Sequence, residues 1–369
     1  MICKSAGYIN FRNISDQKIE FCDGVNVICG DNAQGKTNAL EGIYLHAACR
    51  SHRAAKDREM IGFSGDFARV TLDYSSGGRE NGLDMTITSA GRKICKKNSL
   101  VIKRASDYIG NFRAVLFTPG HLSVVKDGPS ERRNFLDSAL CQLYPSYMAH
   151  LRDFNRLLLQ RNRLLSMMAS GEISGGDADA NLDVWTEKLV FESEFVSHMR
   201  SDYTEKLSSI VADIFDDMTS GGEKVRLSYV GGHTADEYRE LFSKARRKEI
   251  AAGTTLYGVH RDDIGIYLNE NAVRAYGSQG QQRSVSLAMK LAEGEISKQI
   301  TGEYPVFLLD DILSELDERR KSYIMSGLDK RQVIITACSF EKSFEGARLI
   351  VCKGGRYSET QNLTDTGRI

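Results

Sequence analysis

The chain has no excess of either charge: 49 Lys plus Arg stand against 49 Asp plus Glu in 369 residues. That balance excludes a polybasic coat or an acidic solvating chain as the basis of function, so any anionic partner must be met by local patches. Eight Cys are present, and no two of them form a Cys-x-x-Cys pair. Neither a zinc ribbon nor a disulfide framework is suggested, and a reducing cytoplasm fits best. No apolar run approaches the roughly 18 residues that cross a bilayer, and Met1-Ile2-Cys3-Lys4 begins without an apolar signal core. A cytoplasmic chain with no membrane partner is expected. Only four Pro argue against a flexible Pro-rich linker, and no internal repeat or long low-complexity tract is found. What remains, 41% apolar and 27% charged residues, describes a soluble globular chain. Its length suits two domains, or one with a large insertion.

The N-terminal third alternates short apolar runs with turn residues, as in Val25 to Cys29 before Gly30 and Ala114 to Phe117 before Thr118-Pro119. These predict strands. Near Glu131 the rhythm changes: Phe135, Leu136, Ala139, Leu140 and Leu143 recur at three and four residue intervals, and Leu151, Phe154, Leu157, Leu158 and Leu165 continue beyond Pro145. That is a helical period. Ser170 to Asn181, rich in Gly and Asp, predicts a loop. Trp185, Leu189, Phe195, Met199, Leu207, Ile210 and Ile214 then resume the helix to about Met218. Residues 131–222 therefore read as a helical hairpin inserted into something else. Strand-like pieces return at Val225 to Val230, Ile264 to Leu268, Val306 to Leu309 and Val333 to Ala337, with helical Ala235 to Ala252 and Ser284 to Lys298 between them.

Gly30-Asp31-Asn32-Ala33-Gln34-Gly35-Lys36-Thr37 matches G-x-x-x-x-G-K-[ST] and lies between a strand run and a helical one. The glycines let backbone N–H groups turn inward around phosphate oxygens, and the following helix presents its positive end. Lys36 can reach the β and γ phosphates of ATP, and the Thr37 hydroxyl can bind Mg²⁺. A second element, Pro305 to Asp311, is a buried-strand run ending in two carboxylates. Asp310 is the metal candidate, and Asp311 sits where it could polarise the attacking water. A third, Tyr276-Gly277-Ser278-Gln279-Gly280-Gln281-Gln282-Arg283, opens an amphipathic helix. By itself it reads as a Gly-rich loop with a helix cap, or as another anion-binding helix N-terminus.

These three elements, with Ser314-Glu315-Leu316-Asp317 after the carboxylates, resemble the ATP-binding cassette (ABC) head of the structural-maintenance-of-chromosomes (SMC) class, and more closely the RecF family of bacterial recombination-mediator ATPases. The resemblance runs along most of the chain: Phe11-Arg12-Asn13, Gly35-Lys36-Thr37-Asn38 with Leu40-Glu41, Arg50-Ser51-His52-Arg53, Phe117-Thr118-Pro119, Arg132-Arg133 with Phe135-Leu136-Asp137, and His260-Arg261-Asp262-Asp263. It implies an α/β fold, an ABC-type P-loop ATPase head (SMC-like) split between 1–130 and 223–369, with 131–222 as an inserted helical arm. It implies an ATP-driven homodimer, in which nucleotide held by Gly30 to Asn38 of one subunit also meets Ser278, Gly280 and Gln281 of the other, with Asp317 near the dimer axis. It implies DNA as partner, double-stranded, gapped or at a single-strand/double-strand junction, and work with RecR and RecO to load RecA.

The chain departs from cassette patterns in several places. Asp311 is one methylene shorter than the transporter-type Glu, and Thr336-Ala337-Cys338 offers no His to sense a γ phosphate. Slow ATP turnover, suited to a timer, is expected. No Gln occurs between Gln34 and Gln142, so the Gln-loop ligand is absent from its usual interval, and Pro119-Gly120-His121-Leu122 lacks the acidic residue usual after that proline in the family.

Arg92 to Arg104 holds six basic residues, Arg92, Lys93, Lys96, Lys97, Lys103 and Arg104, and no acidic one. They are the DNA-binding candidates. Arg152, Arg156, Arg161 and Arg163 form a second set and Arg246-Arg247-Lys248 a third. No base-reading motif occurs, so binding should depend weakly on sequence and more on duplex shape or junctions. His46 with Cys49, and Trp185 on an apolar helical face, read as core contacts; Arg261 and Asp262 read as fold-supporting or nucleotide-proximal. Two other functions stay open: a transporter-type cassette subunit, disfavoured by the long interval from Lys36 to Gly277, and an ATP-binding scaffold without DNA contact.

Overall fold

The strands of the N-terminal third, joined by four from the C-terminal part of the chain, form two six-stranded sheets in the computed structural model, which describes residues 1–63, 65–219, 221–328, 331–339 and 346–360. Both belong to the first of two compact units, Met1–Ser123 with the chain from Ser286 on. One is antiparallel: β1 (Ile2–Phe11), β2 (Ile14–Glu20), β4 (Phe67–Ser76), β5 (Arg79–Thr88), β6 (Lys93–Lys97) and β7 (Leu100–Ile102), in the order β2-β1-β4-β5-β6-β7. Buried and accessible residues alternate along β4 and β5, because one face packs inward and the other meets solvent.

The second sheet holds β3 (Val25–Cys29), β8 (Ala114–Phe117), β12 (Val306–Asp310), β13 (Val333–Ala337), β14 (Arg348–Lys353) and β15 (Arg356–Thr360), in the order β15-β14-β3-β13-β12-β8. All pairings are parallel except β14 with β15. Its strands β3, β8, β12 and β13 are buried almost throughout and mostly apolar, with Asn26 and Thr336 the polar exceptions before the terminal Asp310, as a sheet covered on both faces requires. α1 (Lys36–Ala48) packs against strands of both sheets and is buried on nearly every side. Leu40, Ile43 and Leu45 are fully buried, each contributing roughly 1.5–3 kcal/mol. Gly42 lets α1 approach β1: a Cβ there would lie 2.5 Å from the Tyr8 ring. Two short helices, α2 (Ala105–Tyr108) and α9 (Glu318–Gly327), complete this unit.

The second unit, Val124–Val285, holds α3 (Pro129–Leu143), α4 (Pro145–Ala169), α5 (Gly176–Thr219), α6 (Ala235–Ala252), the four-residue α7 (Val273–Tyr276) and an antiparallel sheet ordered β11-β10-β9. Its strands are β9 (Val225–Val230), β10 (Asp263–Leu268) and β11 (Asn271–Ala272). Pro145 separates α3 from α4 by forcing Tyr144 into an extended conformation and then opening the next helix. α6 is closed at both ends, by a Thr234/Glu237 capping box and by Gly253 in the left-handed region. The boundary between units falls inside α8 (Gln279–Thr301).

Two features differ from expectation. α5 begins at Gly176, within the stretch predicted to be loop: Asp177 and Asp179 favour a helix N-terminus, Ala178 and Leu182 are buried, and Arg246 binds Asp179 and Asp183. The compact helical unit is also larger than 131–222. It takes in 223–285, because β9 pairs with β10 and packs on α5. Among the described residues no helix is long and apolar enough to cross a membrane.

Candidate functional site

The loop from Gly30 to Gly35 joins β3 to α1, and its shape demands small residues. A Cβ on Gly30 would lie 2.2 Å from Cys352 O, and Gly35, with φ of 120°, would meet Asn13 Oδ1 at 2.8 Å. Ala33 also takes a positive φ, 64°. No side chain caps the start of α1 among the described residues and its first turn holds no acidic residue, so its leading N–H groups have no built-in anionic competitor. Lys36 is almost fully buried, and its ammonium donates to Gly30 O at 2.5 Å and Asp31 O at 2.8 Å.

The loop is braced from distant parts of the chain. Asn13 Nδ2 and the Gly355 N–H both donate to Gln34 O, Gly354 N–H donates to Gln34 Oε1, and Tyr357 Oη donates to Gly35 O at 2.9 Å. Asn38 donates to Asn13 and accepts from Arg53. Cys338 Sγ, at the end of β13, contacts Asn32 Oδ1 at 3.0 Å and lies 3.8 Å from Lys36 Nζ. Sequence pattern did not single out Asn13, Gly354 or Tyr357 as loop supports; the positive φ turn at Gly354-Gly355 is a signal, though a weak one.

Thr37 and Asp310 are brought together: the Thr37 hydroxyl donates to Asp310 Oδ1 at 2.8 Å. The Thr336 hydroxyl donates to the same oxygen at 2.8 Å and accepts the Asp311 N–H at 2.9 Å. Thr336, known beforehand only as a place with no His, thus fixes both carboxylate residues. It does so because β12 and β13 run parallel with Asp310 opposite Thr336. Asp311 sits at φ 51°, a left-handed conformation that turns its side chain off the strand line. Asp317 caps α9 by accepting the Arg320 N–H at 2.9 Å. At the end of β8, paired with β12 through Phe117 and Leu309, His121 Nδ1 accepts the Thr118 N–H.

A charged cluster lies one turn along α1 from Thr37. Glu41, fully buried, accepts from Arg12 Nε and Nη2 at 2.9 and 2.6 Å and from Ser51 at 2.5 Å. Burial pushes its carboxyl upward, but the bonds from Arg12 and Ser51 hold it below the usual carboxylate range. His52 packs edge-on against Tyr44, and both its ring nitrogens are buried without a hydrogen-bond partner among the described residues. Burial holds its imidazole below the ordinary value, against the pull of Glu41 and Asp310.

Ser278, Gly280 and Gln281 belong to the second unit. Ser278 and Gln281 cap α8 reciprocally: Ser278 Oγ accepts the Gln281 N–H at 3.2 Å, and Gln281 Oε1 accepts the Ser278 N–H at 2.7 Å. Gln281 Nε2 also donates to Glu223 at 2.5 Å. Ser278 and Tyr276 remain exposed at this helix start.

The six basic candidates on and beside the β6–β7 hairpin divide in two. Lys93 points to the inner face, bonded to Cys49 O and paired with Asp57, each at 2.7 Å, and Lys97 donates to Asn111 Oδ1 at 2.6 Å. Arg92, Lys96, Lys103 and Arg104 have no acidic partner among the described residues. The second set needs correction: Arg161 is 1% exposed and donates to Glu249 at 2.6 Å, to Thr255 and to Thr186, so it is a core residue. Arg246 of the third set is spent on Asp179 and Asp183. Trp185 is likewise not core. It is half-buried beside an open groove with Phe191, under Lys188.

The remaining candidates support the fold. Asp263 accepts two bonds from Arg132, Asp262 accepts from Tyr229 Oη at 2.5 Å, and His46 bonds Tyr108 at 2.6 Å in full burial. Among the described residues no cluster of three His, Cys, Asp or Glu could hold a metal ion.

The chain matches the model of the RecF/RecN/SMC N-terminal domain over residues 4–353. Proteins named DNA replication and repair protein RecF, from Lachnospira eligens and Clostridium perfringens, are 37% and 38% identical over 342 and 346 residues. These alignments cover 93% and 92% of this chain and 94% of each relative. Solved structures of the recombination mediator protein RecF in the RecFOR pathway, with ATP and with ATPrS, superpose with a TM-score of 0.90 at 33% identity over 97% of both chains. An Smc head bound to the C-winged helix domain of ScpA shares the fold, with a TM-score of 0.57 and 16% identity over 100% of both chains.

Proposed function

This chain belongs to the RecF family, and we propose from that premise that it is a DNA replication and repair protein working as an ATP-driven switch. The observation that carries the reading is the Thr37–Asp310 contact beside a phosphate loop whose Lys36 is already folded over it. The residues suit ATP and Mg²⁺. Uncapped helix N–H groups and Lys36 would meet the phosphates, while a hydroxyl and a carboxylate are the hard oxygen ligands that Mg²⁺ prefers. When bound, Mg²⁺ would neutralise charge on the phosphate oxygens. Gly30 to Asn38 would line the phosphates, Thr37 and Asp310 would hold the metal, and Asp311 would polarise the attacking water. With Asp in place of Glu, hydrolysis is weak.

The head of this reading, 1–130 with 223–369, draws on both compact units, and 131–222 is its arm. Ser278, Gly280 and Gln281, presented at the exposed start of α8, would meet nucleotide bound by a second subunit. ATP then favours a dimer only as far as its γ phosphate adds contacts there. DNA contact falls to Arg92, Lys96, Lys103 and Arg104, with Lys93 and Lys97 behind them. The DNA would be a gapped duplex or a single-strand/double-strand junction, where the protein would help RecO and RecR to load RecA.

Sedimentation with ATP, ADP or no nucleotide, with and without gapped duplex, tests the switch. A dimer that forms only with ATP is expected. It should be lost in Lys36→Ala through failed binding, and in Ser278→Arg with ATP binding intact. A normal ATP-dependent dimer in Ser278→Arg would remove the cross-subunit assignment.

A further inference from the structure

β7 is an end strand of three residues, and its Leu100 and Val101 are 74% and 61% exposed. Side chains alternate along a strand, so these two leave the hairpin on opposite faces and its edge is apolar on both sides. Ile94, on β6, is exposed as well. An isolated exposed Leu needs no explanation, but a bare aliphatic edge on a firmly held hairpin does.

The hairpin is held from three directions. Its turn residues Asn98 and Ser99 have φ of 48° and 69°, as a two-residue turn matched to strand twist requires. Asn98 exchanges two 2.8 Å bonds with Gly82 of β5, from its N–H to Gly82 O and from Gly82 N–H to its Oδ1. On the inner face Lys97 and Lys93 fasten the two ends to Asn111, Cys49 and Asp57.

The charge around this edge is uncompensated. Arg92, Lys96, Lys103 and Arg104 flank it without acidic partners among the described residues. The one carboxylate opposite Lys96 in register, Asp84, is occupied by Arg69 at 2.6 Å.

We propose that the β6–β7 hairpin is a wedge for the duplex end at a single-strand/double-strand junction. Leu100 and Val101 cover the last base pair while Arg92, Lys96, Lys103 and Arg104 hold flanking phosphates. This rests on the DNA-binding reading above and names the residues that would select the junction. Cations alone would serve any duplex. The aliphatic edge adds contact only where a base-pair face is open, because entering a continuous duplex means unstacking it first. The same cations disfavour a neutral protein surface as occupant.

The test compares full-length protein, its Leu100→Ser/Val101→Ser variant and its Lys96→Ala/Lys103→Ala variant on gapped duplex, continuous duplex and single strand at several salt concentrations. The wedge variant should lose about tenfold of the preference for gapped over continuous duplex, keeping its salt slope and ATP binding. The lysine variant should weaken both duplexes alike and flatten the slope by about 2. A 2-aminopurine in the last base pair should respond to the unsubstituted protein and not to the wedge variant. Unchanged gap preference in the wedge variant overturns the proposal and leaves the edge to an acidic protein partner. Unsubstituted protein that binds none of the DNAs overturns the DNA reading itself.

Discussion

The Thr37 hydroxyl lies 2.8 Å from Asp310 Oδ1, joining the first turn of α1 to the end of β12 across 273 residues of sequence. Thr37→Ala should leave the fold intact and remove the proposed metal ligand. On the proposed reading, hydrolysis falls at least a hundredfold, and affinity for a fluorescent ATP analogue falls with Mg²⁺ but not with EDTA. Thr37→Ser should retain most activity.

Thr336 is a positioning residue for both carboxylates. Thr336→Val removes the acceptor of the Asp311 N–H and one donor to Asp310. A cost of about 1–3 kcal/mol in urea unfolding is expected, since a polar group is left unpaired near the sheet end. Hydrolysis should slow with little change in ATP affinity, and Thr336→Ser should restore it.

Arg161 and Glu249 form an ion pair at 1% and 0% side-chain exposure. Arg161→Ala should destabilise the protein by about 3–5 kcal/mol, because it strands a buried carboxylate. Arg161→Met with Glu249→Leu should recover most of that. Neither change should alter the salt slope of DNA binding, which would differ had Arg161 met phosphate.

His46 is fully buried, and burial holds its imidazole down at about 3, against an ordinary value of 6.5. The unfolded chain therefore takes up a proton below pH 6.5 that the folded chain refuses. Stability from this residue is complete above pH 6.5 and is lost as pH falls towards 3, by about 2 kcal/mol at pH 5. The urea midpoint should drop between pH 7 and pH 5 in the unsubstituted protein. It should drop less in His46→Leu/Tyr108→Phe, which removes the titrating ring and its buried partner together.

The strands around the phosphate loop were legible because their signals are local. Val25–Cys29, Ala114–Phe117 and Val333–Ala337 are apolar runs closed by turn residues, and α6 carries its own cap and stop. The start of α5 was not legible. Gly and Asp read as loop until Arg246, on another helix, binds Asp179 and Asp183. Arg161 and Trp185 exchange the places that composition assigned them. Periodicity marks a helix face, but which face is buried depends on what packs there, and here Glu249 and Phe242 receive Arg161 while Trp185 is left at a groove.

Sequence by itself determined the phosphate loop, the strand-ending carboxylates and the helical middle of the chain, since each follows from backbone sterics and spacing within a few residues. Tertiary structure alone decided that Thr336 fixes Asp310 and Asp311, that Tyr357 and Asn13 brace the loop, and that Lys93 and Lys97 turn inward while four neighbouring cations face out. Those outcomes depend on strand register and on contacts between residues as much as 322 apart, as with Tyr357 and Gly35, and no local pattern encodes which partner arrives.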